Sequence, residues 1–146
     1  METIPEDLII KTTARFMTPF IQLFGAYIIL HGHITPGGGF PGGALIGASM
    51  ILLAVVFGLS EGKKRISHDT SIVLESLAVF YIFIGFAGIL AGSLFLSNRA
   101  AGFSLGNPGS LVSAGMIPVL NIIIGLKVAS TGKTLFYSLA SEEVEE

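Results

Sequence analysis

Among the polar side chains within or at the ends of the strongly apolar stretches of this 146-residue sequence, five could do chemistry: His31, His33, Glu75, Asn121 and Lys127. A carboxylate or an ammonium in apolar surroundings is costly, so it faces protein or water and marks a route for ions. Glu75 and Lys127 therefore read as ion-path residues, and near the inner ends of two successive helices they could pair. The alternative is an interfacial pair that snorkels to headgroups. Histidine titrates near neutrality, so His31 and His33, on either side of Gly32, could relay protons. They could equally order the glycine loop that follows by hydrogen-bonding its carbonyls. Asn121 comes three residues after Pro118, whose ring removes a backbone donor. The expectation is a kink near the middle of the last helix, of the sort transporters use to hold ions, or an interhelical hydrogen bond.

Other chemistries are excluded or unsupported. With no cysteine, the chain has no disulfide, no thiolate ligand for iron–sulfur and no thiol nucleophile. Three histidines without cysteine make a poor metal site, and none is assigned. Gly37, Gly39 and Gly42 match the loose G-x-G-x-x-G spacing, and Glu61 lies near the position of the acid expected downstream. That fingerprint requires a preceding strand and a soluble βαβ unit, but here the preceding segment reads as a membrane helix. No G-K-[ST] closes a P-loop. No cofactor is expected, and the chain reads as non-catalytic. A net charge of −2 offers nothing to nucleic acid.

The elements that position these residues follow from composition. Hydrophobic residues make up 51% and charged residues 12% of the chain, and mean hydropathy is +0.80. A membrane helix needs about 20 apolar residues. Four runs qualify: Leu8 to Leu30, with its membrane section from about Phe16, then Gly42 to Leu59, Ile72 to Leu96 and Leu111 to Ser130. The expected fold is an all-α integral membrane protein, a four-transmembrane-helix bundle occupying residues 1–138, followed by an acidic tail at 139–146. The acidic start (Glu2, Glu6, Asp7) does not resemble a secretory signal. With the amino terminus inside, Lys11, Arg15, Lys63, Lys64, Arg65, Lys127 and Lys133 fall on the cytoplasmic side and Arg99 outside. The positive-inside rule thus places both termini in the cytoplasm, in the cell membrane.

On this orientation the stretch Pro36, Gly37, Gly38, Gly39, Phe40, Pro41, Gly42 and Gly43 forms a tight structural loop on the outer side. Glycine permits close backbone approach and proline fixes φ, and Pro41 suits a first helical turn. Gly43 and Gly47, and again Gly85, Gly88 and Gly92, stand at spacings that let helices pack at short range in a bilayer. The chain is thus expected to dock on other helices.

"HGHITPGGGFPGG" from His31 to Gly43 and "IGLKV" from Ile124 to Val128 resemble the B subunit of multisubunit Mrp-type sodium/proton antiporters. They equally resemble the homologous subunit in the Mrp-like modules of archaeal membrane-bound hydrogenases and sulfane-sulfur reductases. The stretch Asn107 to Val128 leans toward the archaeal versions. The resemblance, which covers nearly the whole chain, implies an accessory membrane protein that neighbours larger antiporter-like subunits, in an assembly that moves Na⁺ and H⁺. A stand-alone antiporter subunit and a homo-oligomeric channel or small transporter remain the alternatives.

Overall fold

The computed structural model describes residues 6–59, 68–111 and 113–142, with no side chain described at residues 6, 68–73, 75, 141 and 142. Four α-helices, and no strand, occur among the described residues: α1 (Glu6–His31), α2 (Gly39–Phe57), α3 (His68–Leu90) and α4 (Ile117–Glu142). At 1.5 Å per residue they are about 28 to 39 Å long, enough to cross a hydrocarbon core of about 30 Å. Three are both long and apolar enough to span a membrane, namely Asp7–His31, Gly39–Phe57 and Ile117–Ala140; α3 contributes a shorter apolar stretch, Ser76–Leu90. The fold is the expected all-helical membrane bundle.

Helix α2 is central, packed on α1 along one side and on α4 along the other, while α3 lies against α4. The two seams of α2 are built from different glycines. A Cβ on Gly42 would lie 2.6 Å from the Gly25 carbonyl oxygen, and one on Gly25 would lie 2.9 Å from that of Gly42, so α1 and α2 cross backbone to backbone. Gly39, Gly43 and Gly47 form a row one turn apart that faces α4 at Asn121 and Ile124, Gly125 and Val128, and Ala129 respectively. That pairing makes α2 and α4 parallel. In lipid, where apolar surface does not drive helices together, such close van der Waals packing is the main source of association.

The expected Gly43–Gly47 face is therefore a helix–helix contact, whereas the glycines of α3 serve another purpose. Gly85 and Gly88 accommodate the chain that follows their own helix, receiving the Phe95 ring and the backbone around Leu94 and Ser97. The Leu96 N–H donates to the Gly85 carbonyl at 3.1 Å, and Phe95 meets Phe86 edge-on at 5.9 Å. Gly92, at φ +77°, lies past the helix end with open space around it. Hence α3 stops at Leu90 rather than Leu96.

The last helix also departs from expectation. Ala114 and Gly115 are left-handed, at φ +68° and +66°, and so cannot continue a helix from Leu111. Helix α4 starts at Ile117 and runs to Glu142, well beyond Ser130. Pro118 thus occupies the first turn, where its missing N–H costs nothing. It does not break the middle of the helix. Pro19 does lie inside α1; beside it the Thr18 hydroxyl donates to the Ala14 carbonyl at 2.7 Å.

Candidate functional site

The segment between α1 and α2 closes over the bundle end where α4 begins. Gly38, at φ +130°, caps α2 from a conformation that favours glycine, and Pro41 stands in the first turn. Gly38 and Gly39 are buried, while Pro36, Gly37 and Phe40 are exposed. A Cβ at Gly32 would lie 3.0 Å from Asn121 Nδ2, and one at Gly38 would lie 3.8 Å from Asn121 Oδ1. Asn121, in the second turn of α4, therefore touches both ends of the loop. It sits near the start of its helix, not at its middle, because α4 starts six residues later than the sequence suggests. Its Nδ2 is buried with no hydrogen-bond partner among the described residues.

Both histidines bond to carbonyls outside the glycine loop. His31 Nδ1–H donates to the Tyr27 carbonyl at 3.2 Å, and its ring stacks on Tyr27 at 4.1 Å. His33 Nε2–H donates to the Ser110 carbonyl, also at 3.2 Å, and so ties the connection between α1 and α2 to the one between α3 and α4. Since a carbonyl only accepts, each bond fixes which nitrogen carries the proton. The Nδ1 of His33 is left buried without a partner among the described residues.

Asn98, which the sequence does not single out, organises the second connection. Its Oδ1 accepts from the Met116 N–H at 2.8 Å and its Nδ2 donates to the Ala114 carbonyl at 3.1 Å. It thereby caps α4 from 18 residues upstream. The Ala114 N–H donates to the Leu105 carbonyl at 2.8 Å, and Met116 is 1% exposed. No local signal betrays this cap, since its partners are remote in sequence. Together the two connections, tied by His33 and Ser110, form a layer at the end of the bundle where α4 begins.

Glu75 and Lys127 both lie deeper in their helices than the sequence suggests. Glu75 is the eighth residue of α3 rather than the fourth of its helix, and its side chain lies outside the described ones. Lys127, expected three residues from the end of α4, stands 13 residues before Ala140 in the span Ile117–Ala140, near its middle. It is half-buried. Six residues on, Lys133 is 6% exposed, with Nζ 5.5 Å from the centre of the Tyr137 ring. Lys63, Lys64 and Arg65 lie outside the described residues. Arg15 of α1 sits over Phe57 at the end of α2, 5.3 Å from the ring centre. No group of three His, Cys, Asp or Glu that could hold a metal occurs among the described residues.

A glycine-seamed helical bundle with folded connections at one end and lysines in its last helix defines a polytopic membrane protein. Residues 9–133 match the family described as a domain related to the MnhB subunit of Na⁺/H⁺ antiporters. The chain belongs to that family. An uncharacterized protein of Methanocaldococcus jannaschii is 41% identical over 93% of this chain and 53% of its own length. The B subunit of the Na⁺/H⁺ antiporter of Alkalihalophilus pseudofirmus is 27% identical, covering 94% of this chain and 95% of that one. Among solved structures, a chain of the membrane-bound sulfane sulfur reductase, an archaeal respiratory membrane complex, superposes with a TM-score of 0.73 and 34% identity. The match covers 95% of this chain and 60% of that one, so this chain spans little more than half the length of the archaeal relatives it matches.

Proposed function

We propose that this chain is an accessory, non-catalytic membrane subunit of an Mrp-type Na⁺/H⁺ antiporter module within an archaeal respiratory complex of the hydrogenase or sulfane-sulfur-reductase kind. The observation that carries this reading is the superposition on a chain of such a complex over 95% of the present chain at 34% identity. A second reading, a stand-alone antiporter component of the B type, is favoured by the mutual coverage of 94% and 95% with the A. pseudofirmus protein. In either setting the chain sits in the cell membrane next to larger subunits, with both termini in the cytoplasm, and the assembly moves Na⁺ and H⁺. The outer layer is the structural part: Pro36 to Gly43 close the seam, His31 and His33 order the connections, and Asn121 holds the loop ends. Glu75 and Lys127 line the inner part of an ion path.

Purification of the tagged chain in mild detergent, followed by identification of its companions, tests this. Antiporter-like membrane subunits are expected, and hydrophilic iron–sulfur subunits among them select the respiratory complex. Recovery of the chain alone, or as a stable ion-conducting homo-oligomer, overturns the subunit reading. In vesicles holding the intact complex, Glu75→Gln should strongly reduce sodium efflux without loss of assembly. His33→Gln should leave the pH profile of efflux where it was, since a structural tie moves no proton.

A further inference from the structure

The connection between α3 and α4 carries a hollow of its own. Arg99, Gly102, Phe103, Ser104 and Leu105, all from one short stretch of chain, surround an open cavity of about 310 Å³. Backbone bonds fix its frame. The Gly102 N–H donates to the Arg99 carbonyl at 3.2 Å, the Phe103 N–H to the Asn98 carbonyl at 3.1 Å, and the Ala114 N–H to the Leu105 carbonyl at 2.8 Å. Asn98, next to Arg99, is held to the start of α4 through both halves of its amide. The Ser104 Oγ accepts from the Gly106 N–H at 3.4 Å, so its own hydroxyl hydrogen remains to be given. Arg99 is exposed, and it is the one Lys or Arg between residues 66 and 126. No carboxylate of the chain lies at its end of the bundle. Every Asp and Glu falls before residue 8, at 61–75 or after 141, which is toward the start of α1, the end of α2, the start of α3 and the end of α4.

We infer that this hollow binds the phosphate of an anionic membrane phospholipid. A guanidinium presents parallel N–H donors that match two oxygens of a phosphate, and the Ser104 hydroxyl adds a donor in the same hollow. The rim selects a lipid over a soluble anion. Phe103 and Leu105 line the hollow, and in the same connection Leu94 and Leu105 are 81% and 45% exposed. Such apolar surface is unfavourable in water and suits the glycerol and acyl part of a lipid. Depth agrees with this occupant. The connection begins where the apolar stretch of α3 ends at Leu90 and stops where the span from Ile117 starts, which is the level of headgroups, where basic pockets of membrane proteins take phosphate. A positive charge with no carboxylate at its end of the chain also prefers a lipid of net negative charge to a zwitterion, whose own cation it repels.

The test keeps the full chain in its native assembly, reconstituted in vesicles of equal parts phosphatidylglycerol and phosphatidylcholine. With Leu105→p-benzoylphenylalanine, irradiation and mass spectrometry should find adducts with phosphatidylglycerol in excess of those with phosphatidylcholine by about fivefold, the worth of one basic side chain near an anionic surface. Arg99→Gln in that background should bring the two to parity, and since Arg99 is exposed the assembly should be recovered unchanged. Leu111→p-benzoylphenylalanine, exposed in the same connection but outside the hollow, should label both lipids alike. Equal adducts at 105, a preference that survives Arg99→Gln, or the same preference at 111 overturns the inference, because each marks ordinary contact with the bilayer. Adducts confined to another subunit also overturn it, since protein then fills the hollow. Inorganic phosphate in excess should leave the phosphatidylglycerol adduct in place; its displacement would assign the hollow to a soluble anion and overturn the lipid as occupant.

Discussion

Single polar side chains in this molecule do their visible work at the ends of helices. Asn98 commits both halves of its amide to the backbone that leads into α4. Without it the Met116 N–H, in a residue 1% exposed, loses its partner in a buried place. Asn98→Ala should therefore cost about 1–2 kcal/mol, the usual range for losing a helix cap or stranding a buried donor. Amide exchange at Met116 to Leu120 should speed up while that of α1 stays unchanged; equal protection in both proteins would deny Asn98 its capping role. The histidines are recognisable in the sequence because they flank Gly32 at the end of an apolar run, and Asn121 because it is an amide within an apolar run just after Pro118. Asn98 is not, since its role depends on a chain reversal that brings residues 16 and 18 positions away back to it. Lys127 is legible as a residue of interest, but its depth is not. The sequence "TGKT" at Thr131 to Thr134 reads as an exit from the membrane yet remains within a single helix to Glu142.

At the scale of helices, the same residue type performs three tasks, and spacing alone separates only some of them. Gly39, Gly43 and Gly47 are a seam, Gly85 and Gly88 are a bed for the returning chain, and Gly92 marks a helix end. The seam is legible because a four-residue repeat predicts a close face. The bed carries the same kind of spacing and differs only in what packs on it. The contribution of Gly25 and Gly125, single glycines with no local repeat, becomes visible only through their partners across the crossing points. The seam makes graded predictions. A Cβ at Gly43 would fall 2.9 Å from Val128 Cβ and press on the Gly125 carbonyl, and one at Gly39 would fall 2.8 Å from Ile124 Cβ. Neither backbone can yield without parting α2 from α4. Gly39→Ala and Gly43→Ala should each destabilise the bundle by about 1–3 kcal/mol, the usual penalty for overpacking. At Gly47 the nearest atom is 3.3 Å away, and at Gly132 nothing lies within 4 Å. Gly47→Ala should lose less, and Gly132→Ala should match the parent. Thermal unfolding in detergent ranks the four; since alanine favours a helix more than glycine does, a Gly132 variant as damaged as Gly43→Ala would show that contact at the seam does not set the effect.

For the whole molecule, the question is which way the bundle lies in the membrane. Helices α1 and α2 are antiparallel and α2 and α4 are parallel, as the glycine contacts require. The start of α1 and the ends of α2 and α4 therefore share one side, which the approach of Arg15 to Phe57 supports. Lys127 belongs to neither side, because it stands near the middle of its span. That removes one charge from the inner-side count and leaves Lys11, Arg15 and Lys133 toward the shared end, with Lys63, Lys64 and Arg65 in the sequence that follows α2, against Arg99. By the positive-inside rule, which weights short loops near span ends most heavily, this bias predicts that the shared end faces the cytoplasm. Because the chain contains no cysteine, single substitutions report without background. In right-side-out vesicles, Lys64→Cys should resist a membrane-impermeant maleimide until the membrane is opened. Asn107→Cys, in the connection that His33 ties down through Ser110, should label at once. The opposite pattern would turn the layer of loops toward the cytoplasm.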